Sequence, residues 1–484
     1  MSAHARPSLA GARTAVLAVA VCSALAGCAI APPVSTRPTQ SLPADFGPGS
    51  SAGDPAAASA VPPRWWTLYR DPALDGLVDA ALAGNADVRL AVAQLEEAEG
   101  VLREAGANLS PQIDLGASGS RSRITGLGAQ PVPAGIPLAR SDRRLAASTS
   151  FELDFWGRLR NALDVARAQT LSSRYAADVV RLSLAGAVVQ AYVGVRSLDA
   201  QLGIARRTLA LRDESLQVVS ARARGGLASD LDLRQAESAR ADAASQLIEL
   251  QRQRAALEHL VASLSGRPGL TLAAGGLDGL PVPPVPPTGL PSALIERRPD
   301  LQVAEQALVA ADGRVAIARA AMFPTISLTG SYGGQSADLG DLLRAGARIW
   351  SLGFGLTLPI FDAGRVQARI EQTEARQRQA LAGYQKTLET AFREVADALS
   401  NVQAAAAAET ELGARARAAG EALRLAQMRY QAGYSAYLEV IDAQRTANDA
   451  ALAQVRGRQS TLAYSVDLMK SLGGGWSAAA ATAR

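Results

Sequence analysis

Two stretches of the chain alternate apolar and polar residues with the period of a β-strand. The apolar positions of the first stretch are Ile113, Leu115, Ala117 and, after a loop rich in proline and glycine, Thr149, Phe151, Leu153 and Phe155. Those of the second stretch are Ile326, Leu328, Gly330, Tyr332, Trp350, Leu352, Phe354, Leu356 and Leu358. Because alternate residues of a strand point to opposite faces, the pattern predicts β-hairpins over 112–155 and 325–361, each with one apolar face.

A heptad pattern follows each predicted hairpin. Its apolar positions are Val188, Val195, Leu202, Leu209 and Leu216 in the first half, and Leu381, Leu388, Val395 and Val402 in the second. No proline interrupts residues 157–224 or 364–431. At 1.5 Å per residue, each run predicts a coiled-coil helix roughly 100 Å long. Glycine turns near 225–227 and 433–434 predict that each long helix reverses into a second one.

The order of predicted elements occurs twice. Asn85-Ala86-Asp87-Val88 matches Arg298-Pro299-Asp300-Leu301 at an offset of 213 residues, and the glycine turns match at an offset of 207. We therefore predict two structural repeats, 64–265 and 292–476, with a Pro-rich linker at 266–291 and a tail at 477–484. Each repeat is expected to begin with a helix. The first of these is predicted from Pro72 to about Asn108.

The N-terminus has the form of an export signal. Arg6 and Arg13 precede a short apolar segment, which is too short to remain as a membrane-spanning helix. Leu25-Ala26-Gly27-Cys28 then resembles the lipidation motif of bacterial lipoproteins, so residues 1–27 are predicted to be removed and Cys28 to carry lipid. Ala29 after the cysteine favours the outer membrane. Residues 28–63 are predicted to form a flexible tether.

Composition excludes several classes of function. The formal net charge is +4, and about +2 without the leader, which is too balanced to indicate a nucleic-acid partner. The mature chain keeps a single histidine, His259, and a single cysteine, Cys28. No internal disulfide, Cys/His metal site or Ser-His-Asp triad can be built from them. We predict that the protein is not an enzyme and has no cofactor beyond the lipid on Cys28.

The alternating strands fit either a water-facing sheet on a helical core or a membrane barrel. Strands of about ten residues match a tilted membrane-spanning strand. Four strands cannot close a barrel, and lipid does not tolerate an open sheet edge. If these strands span a bilayer, several chains must therefore share one barrel, and three chains would give twelve strands. An extended coiled coil without a pore is the alternative, but it does not explain the hairpins.

Several motifs together resemble the TolC-like outer-membrane efflux proteins, in particular the lipoprotein branch that serves tripartite drug pumps. They are Leu25-Ala26-Gly27-Cys28, the run from Trp65-Trp66 to Asp71-Pro72, Arg297-Arg298-Pro299-Asp300-Leu301, Phe323-Pro324, Pro359 to Arg365, Arg429 to Gly433, and Leu472 to Trp476. The resemblance implies a homotrimer with a 12-stranded β-barrel in outer-membrane lipid. It also implies a 12-helix periplasmic α-barrel and a mixed equatorial domain.

The function implied by the resemblance is an exit duct that passively conducts drugs or other small molecules. Its implied partners are a periplasmic adaptor and an inner-membrane transporter of the RND type. A channel for type I protein secretion and a periplasmic coiled-coil lipoprotein without a pore are the alternatives. The exported compound, whether drug or metal, is not specified by the sequence, and neither is the resting state of the gate.

The resemblance also assigns candidate site residues near the two glycine turns. The expected adaptor-docking residues are Gly226, Leu227, Asp230, Asp232, Gly433 and Tyr434. Glu439 and Asp442 match aperture-lining acids and lie three residues apart, near one helix face. Tyr430 matches a position that hydrogen-bonds the closed gate. A solvated helix face is the alternative for the acids, and Ser435 stands where some members carry a basic residue, so Arg429 or Arg445 would have to replace it.

Overall fold

The computed structural model describes residues 31–33, 35, 61–127, 133, 135, 137–285, 295 and 297–476. Cys28, the predicted signal segment, most of the predicted tether and the tail at 477–484 lie outside the described residues. The helices are α1 Pro72–Gly84, α2 Ala86–Ala107, α3 Arg158–Arg224, α4 Asp230–Leu264, α5 Pro299–Ala320, α6 Arg365–Gln431 and α7 Tyr437–Ser471. The strands are β1 Gln112–Arg123, β2 Ala139–Glu152, β3 Thr325–Ser336 and β4 Arg348–Thr357.

Elements of equal length recur in the two halves. Helices α3 and α6 each have 67 residues, α4 and α7 each have 35, and α2 and α5 each have 22. Strands β1 and β3 each have 12 residues. Strands β1 and β2 pair as one hairpin, and β3 and β4 pair as the other. Both hairpins, and the long helices α3 and α6 that follow them, lie where the sequence pattern indicated them.

The predicted helix from Pro72 to Asn108 is wrong in one respect, because it is broken into α1 and α2 at Asn85. This residue has an extended backbone with φ −67° and ψ 141°. Its side-chain oxygen accepts a hydrogen bond from the amide of Asp87 at 2.7 Å, and its side-chain amide donates to the carbonyl of Leu264 at 3.0 Å. Asn85 thus caps the first turn of α2, whose amides have no partner within the helix, and binds the last carbonyl of α4.

The chain divides into two compact units. The first comprises residues 1–37, 96–172 and 304–384, and the second comprises 38–95, 173–303 and 385–484. The first unit contains an antiparallel four-stranded sheet in the order β1-β2-β3-β4. Among the described residues, β1 and β4 are therefore edge strands that each pair with a single neighbour.

The strand register places the apolar residues of all four strands on one face. Leu115 pairs with Ala147, Phe151 with Leu328, and Leu328 with Phe354. We name this the apolar face, and its largest members are Ile113, Leu115, Leu145, Phe151, Ile326, Leu328, Tyr332, Trp350, Leu352, Phe354 and Leu356. The opposite, polar face carries mostly serine, threonine, glycine and charged residues. Phe354 and Leu352 are about four-fifths exposed in the single chain, so nothing described here covers the apolar face.

The core of the second unit forms where the start of the fold packs on α3 and α7. Trp65, Tyr69 and Tyr192 are almost completely buried there, and Tyr69 forms a 2.7 Å hydrogen bond with Ser465. Burial raises the pKa of Tyr192 to about 12, assisted by its hydrogen bond to Asp71. The phenol therefore stays protonated and donates to this carboxylate. The predicted linker also contributes to this core, because Leu277 and Leu280 are buried in it.

Most of the predicted heptad positions are buried, while Leu209, Leu216 and Leu381 are half-buried. Val188, Val195, Leu388 and Val395 have 4% or less of their surface exposed. Among the described helices, α3 alone contains a stretch long and apolar enough to cross a membrane by composition, and 56% of that stretch is buried within the protein. A buried stretch of this kind is typical of a core helix.

One ion-pair network in the second unit joins α5, α6 and α7 around a buried arginine, whose partners Asp300 and Glu394 are partly exposed. Arg298, immediately before α5, has 7% of its surface exposed and donates to both carboxylate oxygens of Asp300, at 3.0 and 2.6 Å. It also donates to Glu394 of α6 at 2.7 Å and to the carbonyl of Ser471 in α7 at 3.2 Å. These groups line a cavity of about 400 Å³.

Candidate functional site at the helical hairpin tips

The two helical hairpins reverse through turns of the same construction. At the first tip, the amide of Gly226 donates to the carbonyl of Ala223, and the amide of Leu227 donates to Arg222. At the second tip, the amide of Gly433 donates to the carbonyl of Tyr430, and the amide of Tyr434 donates to the carbonyl of Arg429. Gly226 and Gly433 have φ of +72° and +79°. This left-handed conformation is readily adopted by glycine and is the common way to end a helix.

Both predicted docking tips present an exposed hydrophobic residue. Leu227 is 82% exposed and Tyr434 is 80% exposed. The acids of the first tip have additional local roles. Asp232 completes a capping box with Ser229 at the start of α4, and Asp230 lies 3.7 Å from Arg234. The structure therefore brings the predicted tip residues together at the turns, but it shows that Asp232 also stabilises the helix start.

The predicted aperture acids lie on the first turns of α7. Asp442 forms an ion pair with Arg445 at 3.1 Å, and both side chains are about two-thirds exposed. Glu439 is also exposed and lies one turn earlier on the same helix. The ion pair holds Asp442 only weakly, because exposed ion pairs contribute little to stability, and both acids are exposed in the single chain. Their carboxylates are therefore accessible to another chain or to a passing solute.

Tyr430 lies in a small apolar cluster where four helices meet. The cluster contains Val219 of α3, Ala236 of α4, and Tyr437 and Val440 of α7, with Tyr430 of α6 packed against it. The ring of Tyr430 lies 5.5 Å from that of Tyr437, and the guanidinium of Arg222 lies 4.7 Å above it. Tyr430 thus joins the end of α3 to the end of α6 through a cation–π contact, whose strength is typically about 0.5–2 kcal/mol.

Arg212 is a polar contact residue that the sequence motifs did not indicate, and it lies buried between α3 and α7. Only 7% of its surface is exposed, and it donates to the side-chain oxygen of Gln444 at 2.5 Å. Burial lowers the pKa of Arg212. Its position three residues after Leu209 and four before Leu216, on the apolar side of the heptad, was the available signal. A buried cation hydrogen-bonded to a neutral amide marks a polar contact between the two hairpins.

No group of histidine, cysteine, aspartate or glutamate side chains that could hold a metal ion occurs among the residues that the structure describes. Cys28, the predicted lipidation site, lies outside them. The candidate site is therefore a set of turns, exposed carboxylates and an aromatic cluster. Such an arrangement can bind a partner or line an opening.

Comparison with known proteins decides the family. The family model described as outer membrane efflux protein matches residues 77–267 and 290–474, which is most of the chain. The chain belongs to this family. Members are outer-membrane channels rather than enzymes, so the family assignment confirms the prediction of a non-enzymatic outer-membrane efflux channel with long periplasmic helices.

Individual members match over nearly the whole chain. Outer membrane protein OprJ of Pseudomonas aeruginosa is 36% identical over 473 residues, which cover 95% of this chain and 96% of OprJ. Cation efflux system protein CusC of Escherichia coli is 33% identical, over 95% of this chain and 98% of CusC. The crystal structure of the Neisseria gonorrhoeae MtrE outer membrane channel in its open state aligns with a TM-score of 0.81 and 31% identity, covering 92% of this chain and 98% of MtrE.

Proposed function

We propose that three copies of this chain form one exit duct of a tripartite efflux pump. Their twelve strands would close a single β-barrel in the outer membrane, and their long helices would form a twelve-helix periplasmic cylinder. The supporting observation is the four-stranded sheet with one exposed apolar face and two edge strands. A hydrocarbon environment can cover such a face, but it requires the edges to pair with further strands.

Within each chain, we propose two structural repeats, 64–265 and 292–476, joined by the linker 266–291. The equal lengths of α2 and α5, of α3 and α6, and of α4 and α7 support this division. The predicted leader 1–27, the lipid on Cys28, the tether and the tail 477–484 complete the proposed organisation. Lipid on Cys28 would add a second attachment to the outer membrane.

At the periplasmic end, we propose that Glu439 and Asp442 of three chains form a ring of carboxylates around the aperture. The hairpin tips would receive a periplasmic adaptor, which links the duct to an RND-type inner-membrane transporter. A ring of acids attracts cations and narrows the range of solutes that pass freely. The exposed tip residues Leu227 and Tyr434 support adaptor docking at the turns.

The cargo is proposed to be small molecules, with drugs as the first candidate class. The printed name of CusC describes a cation efflux system, so export of metal cations is the second candidate. A passive duct conducts whatever the transporter delivers to it. We therefore expect the inner-membrane transporter to determine the cargo.

The direct test is the single-channel conductance of the purified protein in a planar bilayer, with its mass measured in the same detergent. A small, cation-selective conductance from a trimer would support the shared barrel and its acidic aperture. A monomer or dimer that gives no conductance would contradict the proposal.

Substitution of the tip residues is expected to weaken adaptor binding without unfolding the chain. Leu227→Glu combined with Tyr434→Glu places charges where apolar surface is expected to contact the adaptor. The measurement is crosslinking of the adaptor to the trimer in cells, together with drug resistance. Because both side chains are at least 80% exposed, the trimer should assemble normally.

Ile248→Glu provides the matched control for this experiment, since Ile248 is an exposed apolar residue of α4 outside the turn. It should leave crosslinking unchanged. Equal loss of crosslinking in the control and the tip variant would contradict docking at the tips.

A further inference from the structure

The apolar face ends in arginines at one end of the sheet. Four arginines lie on this face beyond its hydrophobic residues, and we name them the arginine row: Arg121, Arg123, Arg143 and Arg348. The register fixes their side of the sheet, because Gly119 pairs with Arg143 and Gly334 pairs with Arg348. Arg121, Arg123 and Arg348 are exposed, while Arg143 is partly buried and donates to the carbonyl of Ala337.

The strands place no carboxylate beside the arginine row on the same face. The acids of the four strands are Asp114, Asp142 and Glu152, and by register all three lie on the polar face. In the neighbouring loop, Asp341 is paired with Arg344 at 2.8 Å. Within the four strands, the row is therefore a cationic band without a carboxylate beside it, on a face whose remaining surface is mostly apolar.

An aromatic pair separates the hydrophobic centre of this face from the arginine row. Tyr332 lies opposite Trp350, and both side chains are more than half exposed. Tyrosine and tryptophan are typical of the boundary between hydrocarbon and headgroups in membrane barrels. The face thus changes from apolar to aromatic to cationic towards the hairpin loops, as a surface does when it passes from hydrocarbon into anionic headgroups.

The orientation of the sheet identifies which headgroups these are. Strand β1 begins shortly after α2 ends, and β2 ends shortly before α3 begins, so the hairpin loops lie at the end of the strands away from these helices. In an outer-membrane channel with periplasmic helices, the loop end faces the outside. The outer leaflet there is a glycolipid whose phosphates are dense and negatively charged.

We propose that the arginine row binds the phosphates of the outer-leaflet lipopolysaccharide. This proposal rests on the proposed barrel, because it requires the apolar face to contact lipid. The guanidinium group suits the task, since it can donate two parallel hydrogen bonds to one phosphate. With three chains, twelve arginines would encircle the barrel at the level of the phosphates and fix its depth in the membrane.

The test measures fluorescent lipopolysaccharide binding to the full-length trimer in lipid nanodiscs. The quadruple variant Arg121→Gln, Arg123→Gln, Arg143→Gln and Arg348→Gln should lose most of this binding. Phosphatase-treated lipopolysaccharide should bind the wild type as weakly as the intact glycolipid binds the variant. Equal binding of treated and intact glycolipid, or full competition by phosphatidylglycerol, would overturn the assignment to these phosphates.

A matched pair of double variants distinguishes the effect of arginines on the apolar face from the effect of net charge. Arg121→Gln with Arg348→Gln removes two exposed arginines from the apolar face, and Arg140→Gln with Arg144→Gln removes two exposed arginines from the polar face. Only the first pair should reduce binding severalfold. Equal reduction by both pairs would show a nonspecific effect of net charge and would overturn the proposal.

Conductance measured on the same samples distinguishes this proposal from the proposed channel. A conducting variant trimer with reduced glycolipid binding supports both. If all variants conduct and retain full binding, the arginine row has no such role and the channel stands. If the wild-type protein itself does not conduct, the shared barrel is wrong, and the proposal that depends on it fails with it.

Discussion

Replacing Glu439 and Asp442 by alanine is expected to raise the single-channel conductance severalfold. The substitutions remove the carboxylates of the proposed aperture ring and the ion pair between Asp442 and Arg445. The Asp442–Arg445 pair lies within one helix and contributes at most about 1 kcal/mol, so it cannot itself favour the closed state. The expected rise comes from loss of the contacts that these acids would make across the mouth to neighbouring chains.

A second variant distinguishes attraction of permeating cations by the two carboxylates from loss of the Asp442–Arg445 ion pair. Arg445→Ala breaks the same pair but leaves both acids in place. It should also raise conductance. Its cation selectivity should increase, whereas the cation selectivity of the double variant should decrease. Opposite changes in selectivity with similar changes in conductance would identify the acids as lining the pathway.

Glu421→Ala is the matched control for these variants. Glu421 is an exposed acid of α6 that pairs with Arg424 three residues later, as Asp442 pairs with Arg445 in α7. Its removal should change neither conductance nor selectivity. If this control opens the channel as much as the double variant, or if the double variant conducts like the wild type, Glu439 and Asp442 do not form the gate.

The parts of the fold that could be predicted from the sequence are those set by local periodicity. The alternation at Ile113 and Leu115 placed β1, and the register confirms that these residues share a face with those of the other strands. The heptad positions Val188 and Val195 are completely buried in the core. In both cases the repeat of apolar positions along one element is visible within a dozen residues of sequence.

The break between α1 and α2 has a local sequence signal, but the apolar pattern conceals it. Gly84-Asn85 is a common helix-ending sequence, and Asn85 is also a favoured cap for the next helix. The apolar pattern continues across it, which favoured one helix. What stabilises the break is partly a hydrogen bond to Leu264, which is 179 residues away. No local pattern contains that partner.

The candidate site likewise contains residues that the sequence could predict and contacts that it could not. Gly226 and Gly433 could be predicted because a reversal between two helices favours glycine, and both have positive φ. The contact of Arg212 with Gln444 joins residues 232 positions apart, and that of Arg222 with Tyr430 likewise joins two different hairpins. These contacts depend on how the helices pack, so a sequence pattern could indicate the residues but not the pairing.

The largest loss of stability is expected from replacement of Arg298. Burial alone would lower the pKa of Arg298, but its hydrogen bonds to Asp300 and Glu394 outweigh burial and raise that pKa. The side chain is therefore a permanent cation between two carboxylates. Arg298→Met would leave both acids without this partner, but Asp300 and Glu394 are 33% and 42% exposed, so water can solvate them in part. The expected cost is therefore about 1.5–3 kcal/mol, as for the loss of hydrogen bonds to charged groups. We expect the purified trimer to unfold several degrees below the wild type.

Two further variants determine whether the loss comes from the unpaired acids. Arg393→Met removes an exposed arginine that pairs with Asp397 on the same helix as Glu394, and it should cost no more than about 1 kcal/mol. Adding Asp300→Asn and Glu394→Gln to Arg298→Met should recover part of the lost stability, because neutral amides are less costly to bury than carboxylates.

The first half of the chain suggests why recovery should be incomplete. There Asn85 donates to the carbonyl of Leu264, as Arg298 donates to the carbonyl of Ser471. Both carbonyls belong to the last residue of the returning helix, α4 or α7. Methionine at position 298 cannot donate to Ser471, so that carbonyl loses a hydrogen bond even after the acids are neutralised. Full recovery in the triple variant would show that the ion pairs alone carry the role of Arg298, and no recovery would show that packing or the Ser471 contact dominates.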